Sequence, residues 1–212
     1  MAPEAFQDLP QAQSKLEHEH LAGAEVRGHK TLDEALEGVF SCHKCALGDT
    51  RTNVVPGDGN PHAKVMFIGE APGRNEDLQG KPFVGAAGKL LDQLLDRIHL
   101  NREDIYIANI LKCRPPRNRD PQPQEAEACI AHLRRQVKII RPKIIVCLGR
   151  IAAMQLIKPD FRITKEHGVW FDRHGTPMCA VYHPSALLRD PAKREDMYRD
   201  MLDIRRKLDA LQ

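Results

Sequence analysis

Short, wholly apolar runs alternate with helix-forming segments along most of this chain, and the alternation restricts the folds open to it. Runs predicted as buried strands occupy residues 65–68, 105–110 and 144–148. Each is followed by a segment predicted as a helix, at residues 88–98, 124–139 and 149–156. Strands that alternate with helices are typical of α/β proteins, in which helices cover both faces of a parallel sheet. We therefore predict an α/β fold.

The remaining segments extend this pattern at both ends of the chain. Residues 170–171 and 178–182 are predicted as further strands, and residues 192–211 as a charged amphipathic helix. Thr31, with Glu34 three positions later, forms a capping-box pattern that predicts a helix over residues 31–40. Residues 1–28 are polar with little periodicity. We expect a flexible N-terminal extension over residues 1–28 and one folded domain over residues 29–212.

Composition sets only broad limits on what the protein does. The chain has 212 residues and a formal net charge of +3, which permits binding to nucleic acid but does not by itself argue for it. It has no apolar run long enough for a membrane span, and its N-terminus lacks the apolar core of a secretory signal. We expect a cytoplasmic monomer with no membrane partner.

The segment between the first strand and its helix, residues 69–88, is too long for an ordinary connection. It has twenty residues with five glycines, whereas loops in α/β units usually have about 2–6 residues. Ligands of open α/β sheets bind at the carboxyl ends of the strands, where this segment lies. It contains one aromatic residue, Phe83, and the carboxylates Glu70, Glu76 and Asp77. We interpret the segment as a functional loop and expect Asp77 to be a solvated charge.

Six cysteines in a chain without an export signal indicate metal or thiol chemistry rather than disulfides. Cys42 and Cys45 have the spacing of a metal-binding half-site, and Cys113 and Cys129 are candidates for a second pair. Four thiolates hold either a zinc ion or a 4Fe-4S cluster, and the spacing does not decide between the two. We predict that the other cysteines are buried as hydrophobic residues in strands, namely Cys147 and Cys179.

Three separated motifs, in the same order, resemble those of the family 4 uracil-DNA glycosylases. They read GEAPGRNEDLQGKPFVGAAGKLLD, NILKCRPPRNRDPQPQEAEAC and HPSALLR, and the resemblance extends from about Cys42 to Leu211. It implies a three-layer α/β/α fold with a central four-stranded parallel sheet. It implies a 4Fe-4S iron-sulfur cluster held by Cys42, Cys45, Cys113 and Cys129. It also implies an enzyme that removes uracil from single- or double-stranded DNA and leaves an abasic site.

The same resemblance implies roles for three side chains that would surround the uracil. A glycosylase cannot reach the bond between base and sugar inside a stacked duplex, so the nucleotide is extruded into a pocket. Phe83 matches the residue that stacks on uracil, and the amide of Asn109 matches the group that pairs with N3–H and O4. His183 matches the residue that hydrogen-bonds O2, where a donor stabilises the negative charge of the departing base.

The resemblance leaves open which group handles the attacking water. Related glycosylase families have an aspartate at the position of Ala71, so that base is absent here. Glu70 and Glu76 match positions implicated in catalysis, and either could orient the water or stabilise the cationic sugar. Gly73 stands where a sister family has a bulky aromatic residue that excludes thymine. Ala71 and Gly73 are therefore expected to line the uracil pocket.

Contacts with DNA are expected from two further groups of residues. The segment with Ser185, Leu187 and Arg189 resembles the loop that enters the minor groove and fills the vacated space. Phosphate contacts are expected from basic residues beside the pocket loops, namely Lys81, Arg114, Arg117, Arg119 and Arg189.

Two alternatives stay open on the sequence alone. The first is an iron-sulfur DNA-binding or redox module of the same fold without glycosylase activity, because Ala71 replaces the aspartate of related families. The second is a related branch that becomes covalently linked to uracil-DNA through a histidine in a basic insertion. The corresponding segment here, KCRPPRNRDP, has no histidine, which argues against a cross-link.

Overall fold

A six-stranded sheet forms the middle of the computed structural model, which describes residues 31–211. The strands are β1 (Asp58–Gly59), β2 (Val65–Gly69), β3 (Ile105–Asn109), β4 (Ile144–Leu148), β5 (Trp170–Arg173) and β6 (Thr176–Val181). Their order across the sheet is β1-β3-β2-β4-β6-β5. The four central strands are parallel, and β1 and β5 pair antiparallel at the two edges.

Helices surround this sheet. The α-helices are α1 (Leu32–Phe40), α2 (Leu47–Thr50), α3 (Arg74–Gln79), α4 (Ala86–Asp96), α5 (Pro123–Ile140), α6 (Arg150–Leu156), α7 (Ile163–Glu166), α8 (Pro184–Arg189) and α9 (Arg194–Asp209). Short 3-10 turns occupy Arg102–Asp104, Pro116–Asn118 and Pro191–Lys193. Within residues 31–211, no helix is both long enough and apolar enough to cross a lipid bilayer.

Alternate residues of the central strands point to opposite faces of the sheet, and each face builds its own core. On one face, Phe67 and Ile107 pack with α4 and α9. On the other face, Ile68 and Ala108 pack with α5 and α6. The predicted three-layer α/β/α fold with four parallel strands is confirmed. The sheet is two strands wider than the prediction, because the antiparallel edge strands β1 and β5 extend it.

The predicted elements are confirmed with small shifts at their ends, apart from one segment. At the start of α1, Thr31 Oγ1 accepts the Glu34 N–H at 3.3 Å and a Glu34 carboxylate oxygen accepts the Thr31 N–H at 3.4 Å, so the capping box forms. The segment 69–88 is not a continuous loop, because it contains α3. The charged residues of α3 have no hydrophobic periodicity that would have predicted a helix. The extension predicted over residues 1–28 lies outside the described residues.

The prediction that Asp77 is a solvated charge is wrong. Asp77 is 4% exposed, and its Oδ1 accepts the backbone N–H of Thr52 at 2.9 Å and of Asn53 at 3.3 Å. A carboxylate that receives two N–H donors is well compensated for its burial. Asp77 therefore fastens α3 to the segment that follows α2.

The prediction that Leu187 enters the DNA minor groove is also wrong. Leu187 lies on α8, is 0% exposed and belongs to the core beside α4 and α9. Neighbouring residues of a helix point about 100° apart, so the next leucine faces outward. Leu188 is 46% exposed, and it is the apolar side chain that this part of α8 presents to solvent.

These two leucines make a matched test of the packing of α8. We expect Leu187→Ala to lower the free energy of unfolding by about 2–5 kcal/mol, because it removes a fully buried side chain. Leu188→Ala should change it by less than about 0.5 kcal/mol, as is usual at exposed positions. Urea unfolding measures both variants, and equal losses would contradict the orientation of α8.

Candidate functional site

The candidate site lies at the carboxyl ends of β2 and β3. The parallel pairing of the two strands places Gly69 opposite Asn109. Asn109 is 2% exposed, and its Oδ1 has no hydrogen-bond partner within residues 31–211. A buried acceptor without a partner costs about 1–3 kcal/mol. Such an atom indicates a position at which the donor of a ligand completes the hydrogen bond.

Gly69 is the point at which the Asn109 amide and the Phe83 ring meet. A Cβ atom at this position would overlap Asn109 Oδ1 and would lie 2.8 Å from Phe83 Cζ. Only a glycine therefore leaves room for both side chains. The ring of Phe83 also lies 5.6 Å from the imidazole of His183, measured between centroids, with a tilt of 32°. The structure thus brings Asn109 and His183 to the same aromatic ring.

His183 is a neutral imidazole with a defined tautomer. Its Nδ1 accepts the backbone N–H of Ser185 at 3.1 Å and lies 2.8 Å from Ser185 Oγ. Burial, with a smaller contribution from Arg189, lowers the pKa of His183 to about 4, and Glu76 opposes the shift. Because Nδ1 is an acceptor, the proton of the neutral ring is on Nε2. His183 can therefore donate one hydrogen bond from Nε2 without carrying a charge.

Glu76 anchors the segment that carries Phe83. Its Oε1 accepts the backbone N–H of Val84 at 3.0 Å and of Gly85 at 2.9 Å. Its other oxygen lies next to Gly73 at the N-terminal end of α3, where a Cβ atom would be 2.7 Å from Oε2. Since one oxygen accepts two backbone N–H groups and the other lies beside Gly73, Glu76 mainly connects the start of α3 with residues 84–85.

Glu70 differs from Glu76 in that its carboxylate has no hydrogen-bond partner among the described residues. It directly follows β2 and is partly buried. Burial and, to a smaller extent, the charge of Asp120 raise the pKa of Glu70 to about 7, and Arg150 opposes the shift. A carboxyl group with a pKa near neutrality exchanges its proton easily under physiological conditions. Glu70 is therefore the carboxylate that is free for chemistry.

The side chains predicted to contact DNA phosphates differ in their exposure and in the hydrogen bonds that they already form. Lys81, Arg117 and Arg189 are exposed. Arg114 donates to Asn118 Oδ1 at 2.7 Å. Arg119 forms two hydrogen bonds with the carboxylate of Glu125, at 2.8 and 2.6 Å. A bidentate pair of this kind fixes both partners, so Arg119 is the least available of the five for a phosphate.

The four cysteines predicted as ligands line one small cavity, which we call the cysteine cavity. Cys42 and Cys45 lie between α1 and α2, Cys113 follows β3, and Cys129 lies on α5. Val39, Val54 and Leu111 form an apolar wall around them, and Ala71 packs against that wall. The other two cysteines are buried in β4 and β6, which confirms the prediction for Cys147 and Cys179.

Nitrogen donors surround the sulfur atoms of the cysteine cavity. Cys42 Sγ lies 3.2 Å from His132 Nε2. Cys113 Sγ accepts from Arg51 Nη1 at 3.1 Å, and Cys129 Sγ accepts from the backbone N–H of Lys112 at 3.3 Å. No Asp or Glu is among the residues that line this cavity in the described chain. Burial raises the pKa values of Cys113 and Cys129, whereas the neighbouring Arg51 and Lys112 oppose the shift and stabilise negatively charged sulfur.

The four cysteines share one cavity but do not form a ready-made site for a single ion. Among residues 31–211, no group of three or more His, Cys, Asp or Glu side chains is arranged to hold a metal ion. Four cysteine thiolates are the usual ligand set of a 4Fe-4S cluster, in which each thiolate binds a different iron. The donor set of four sulfurs, the apolar wall and the N–H donors fit an iron-sulfur cluster.

Two polar residues of the cysteine cavity were missed by the sequence analysis. Lys112 is 1% exposed, and its Nζ donates to Gln136 Oε1 at 2.6 Å. Burial lowers the pKa of Lys112 to about 8, and Cys129 opposes the shift. His132 lies three residues after Cys129 on α5, and this spacing puts both on one helix face. That spacing could have identified His132, whereas nothing in the sequence marks Lys112 as buried.

Comparison with known proteins gives a consistent result. A family model described as the uracil DNA glycosylase superfamily matches residues 56–204. The type-4 uracil-DNA glycosylase of Archaeoglobus fulgidus is 50% identical over 183 residues, which cover 82% of this chain and 92% of the relative. Type-4 uracil-DNA glycosylases of Sulfurisphaera tokodaii (47% identity, 82% and 84% coverage) and Saccharolobus solfataricus (44% identity, 84% and 87% coverage) are also similar. The chain therefore belongs to the uracil-DNA glycosylase superfamily and, within it, to the type-4 uracil-DNA glycosylases.

Proposed function

We propose that this protein hydrolyses the N-glycosidic bond of uracil in DNA, so that free uracil is released and an abasic site remains. The observation that carries the proposal is the buried, unpartnered Oδ1 of Asn109 beside the ring of Phe83. An aromatic face and an unpaired amide are what a planar base with donor and acceptor edges requires. The proposal includes a monomer as the active form.

Asn109 selects uracil over cytosine by the direction of its hydrogen bonds. Its Oδ1 accepts from N3–H of uracil, and its Nδ2 donates to O4. Cytosine has an acceptor at N3 and a donor at the exocyclic amine, which reverses the pattern. A mismatch leaves buried polar groups unpaired, at a cost of about 1–3 kcal/mol each. Phe83 stacks on the base and adds affinity that does not depend on its identity.

His183 stabilises the charge that the departing base acquires. As the bond between N1 of uracil and C1′ of the sugar breaks, its electron pair moves onto the base. The Nε2–H of His183 donates to O2 of uracil, where part of this negative charge lies. A preoriented donor at such a position typically contributes about 10²–10³ in rate. The neutral state of His183 is consistent with this role, since no proton transfer is required.

Glu70 is the group that we assign to the attacking water. The two carboxylates were equivalent on the sequence, but Glu76 is occupied by the N–H groups of Val84 and Gly85. The carboxylate of Glu70 has no such partners among the residues that the structure describes. This carboxylate orients the water toward C1′ and offsets the positive charge that forms on the sugar. The oxygen of the water then bonds to C1′, and its proton is released to Glu70 or solvent.

The DNA around the extruded nucleotide is held by exposed side chains. Lys81, Arg117 and Arg189 are free to contact phosphates, and such contacts position the duplex without reading its sequence. Leu188 replaces Leu187 as the apolar side chain that fills the space left in the stack.

The cysteine cavity holds a 4Fe-4S cluster in this proposal, with Cys42, Cys45, Cys113 and Cys129 as the ligands. The bound cluster supplies cross-links between the segment after α1, the segment after β3 and the middle of α5. The side chains of His132 and Arg51 and the backbone of Lys112 supply hydrogen bonds to the sulfur atoms. The role assigned to the cluster is structural.

A direct assay tests the proposed activity. An oligonucleotide with one uracil, incubated with the protein and then treated with alkali, should break at that position, whereas the same oligonucleotide with thymine should stay intact. Asn109→Leu keeps the size of the side chain but removes both hydrogen bonds. We expect it to slow uracil release by about 10²-fold or more, since each lost hydrogen bond to a buried group costs about 1–3 kcal/mol. Intact uracil-containing strands after treatment with the natural protein would instead favour a DNA-binding module.

The pH dependence of uracil release tests the assignment of Glu70. The pKa of this carboxyl group is raised to about 7, and the proposed mechanism requires its ionised form. The single-turnover rate should therefore rise with pH and level off above about 7. Glu70→Gln should be slow at every pH and should lose the inflection. An inflection that persists in Glu70→Gln would assign the titration to another group.

Iron content tests the cysteine cavity. Cys113→Ala should lose iron, visible absorbance and resistance to thermal unfolding together, because one of four ligands is removed. Cys147→Ala is the matched control, since Cys147 is buried in β4 outside the cavity and its loss should leave the iron content unchanged. Zinc instead of iron in the natural protein, or a full complement of iron in Cys113→Ala, would contradict the assignment.

A further inference from the structure

Phe83 has a backbone conformation that aromatic residues rarely adopt. Its φ angle is 53°, in the left-handed region that favours glycine. A residue held in this region costs on the order of 1–3 kcal/mol and persists only where its surroundings impose it. The direction of the ring depends on this backbone geometry, because a change of φ swings the side chain about the chain axis. Whatever holds the backbone of Phe83 therefore also aims its ring at Gly69.

The side chain of Arg102 forms hydrogen bonds with this strained segment of the backbone. Arg102 donates from Nη1 to the carbonyl oxygen of Pro82 at 3.2 Å and from Nη2 to the carbonyl oxygen of Phe83. Its Nε donates to Asp92 Oδ1 of α4 at 2.6 Å. All three nitrogen atoms of the guanidinium group thus donate hydrogen bonds, and the planar group fixes two successive carbonyl groups relative to α4.

The other side of the same segment is held by different groups. Glu76 accepts the N–H groups of the next two residues, Val84 and Gly85. Gly88 of α4 lies so close to the Phe83 carbonyl group that a Cβ atom there would overlap it. Arg102 is thus the only side chain among the described residues that the hydrogen bonds assign to the carbonyl oxygens of Pro82 and Phe83.

We propose that Arg102 is a positioning residue for uracil release, which aims the ring of Phe83 by holding the carbonyl groups of Pro82 and Phe83. The inference rests on the proposed function, because it assumes that Phe83 stacks on the extruded base. Arg102 itself does not touch the base. Its loss lets the backbone of Phe83 relax toward negative φ, and the ring then leaves the plane on which the base stacks.

A double-mutant cycle tests the proposal through the rate of uracil release at saturating protein concentration. Arg102→Ala should slow this single-turnover rate about tenfold, within the range of the backbone strain that it releases. In the Phe83→Ala background the same change should slow it less than about twofold, because no ring is left to position. Arg102→Lys keeps the charge beside Asp92 but cannot hold two carbonyl groups. Its rate of uracil release should therefore lie between those of the natural protein and Arg102→Ala.

Arg205 provides a matched control for a general effect on stability. It donates from Nη1 to the carbonyl oxygen of His99 at 3.2 Å and pairs with Asp209. His99 also has a left-handed backbone, with φ of 54°. The arginine side chains are exposed to the same degree, 30% for Arg102 and 32% for Arg205. Arg205→Ala should lower the melting temperature about as much as Arg102→Ala and leave the rate of uracil release unchanged.

The outcomes separate this inference from the proposed function. If Arg102→Ala slows uracil release equally with and without the Phe83 ring, Arg102 does not act through that ring and the inference is overturned. If Arg205→Ala slows the reaction as much as Arg102→Ala, the effect is one of stability and the inference is likewise overturned. If Phe83→Ala releases uracil at the natural rate, the stacking role and the inference both fail. A natural protein that releases no uracil refutes the proposed function itself.

Discussion

The parallel pairing of β2 with β3 is the constraint on which the site depends. This register places Gly69 opposite Asn109, and a slip by one residue would turn the amide to the other face of the sheet. The two strands are buried on both faces, so the register is fixed by two cores at once. In the mechanism that we propose, the pocket needs this precision because Asn109 distinguishes uracil from cytosine by the direction of its hydrogen bonds. The sheet then fixes the amide, and the segments after the strands carry the ring of Phe83 and the imidazole of His183.

The site combines several features that lower the stability of the fold. Phe83 has a left-handed backbone, and two groups lack hydrogen-bond partners in the part of the chain that the structure describes: the buried acceptor of Asn109 and the partly buried carboxylate of Glu70. Each is unfavourable in isolation, and all three lie at one end of the sheet. The neighbouring groups that hold them are ordinary in type: an arginine on two carbonyl oxygens and a glutamate on two N–H groups. This contrast between strained reactive groups and well-satisfied supports is typical of enzyme sites.

Much of this organisation could be predicted from the sequence, because strong periodicity marks the strands and the long helices. The apolar runs at residues 65–68 and 144–148 are too short for buried helices and rich in Val and Ile, which predicts buried strands. The errors arose where periodicity is short or absent. Asp77 lies on a six-residue charged helix without a hydrophobic face, and Leu187 lies on an equally short helix whose phase depends on packing against α4. The contact of Arg102 with Phe83 joins residues nineteen positions apart, and no local pattern encodes it.

Glu70 and Ala71 connect the candidate pocket at the end of β2 with the cysteine cavity. Glu70 follows the strand that ends at the pocket, while Ala71 packs against the apolar wall of the cysteine cavity. The backbone carbonyl of Glu70 accepts the N–H of Leu111, which is itself part of that wall. An aspartate at position 71, as in the related families, would therefore place a negative charge beside the cysteines that we propose as cluster ligands. Gaining that aspartate would then require a matching change in the wall of the cysteine cavity.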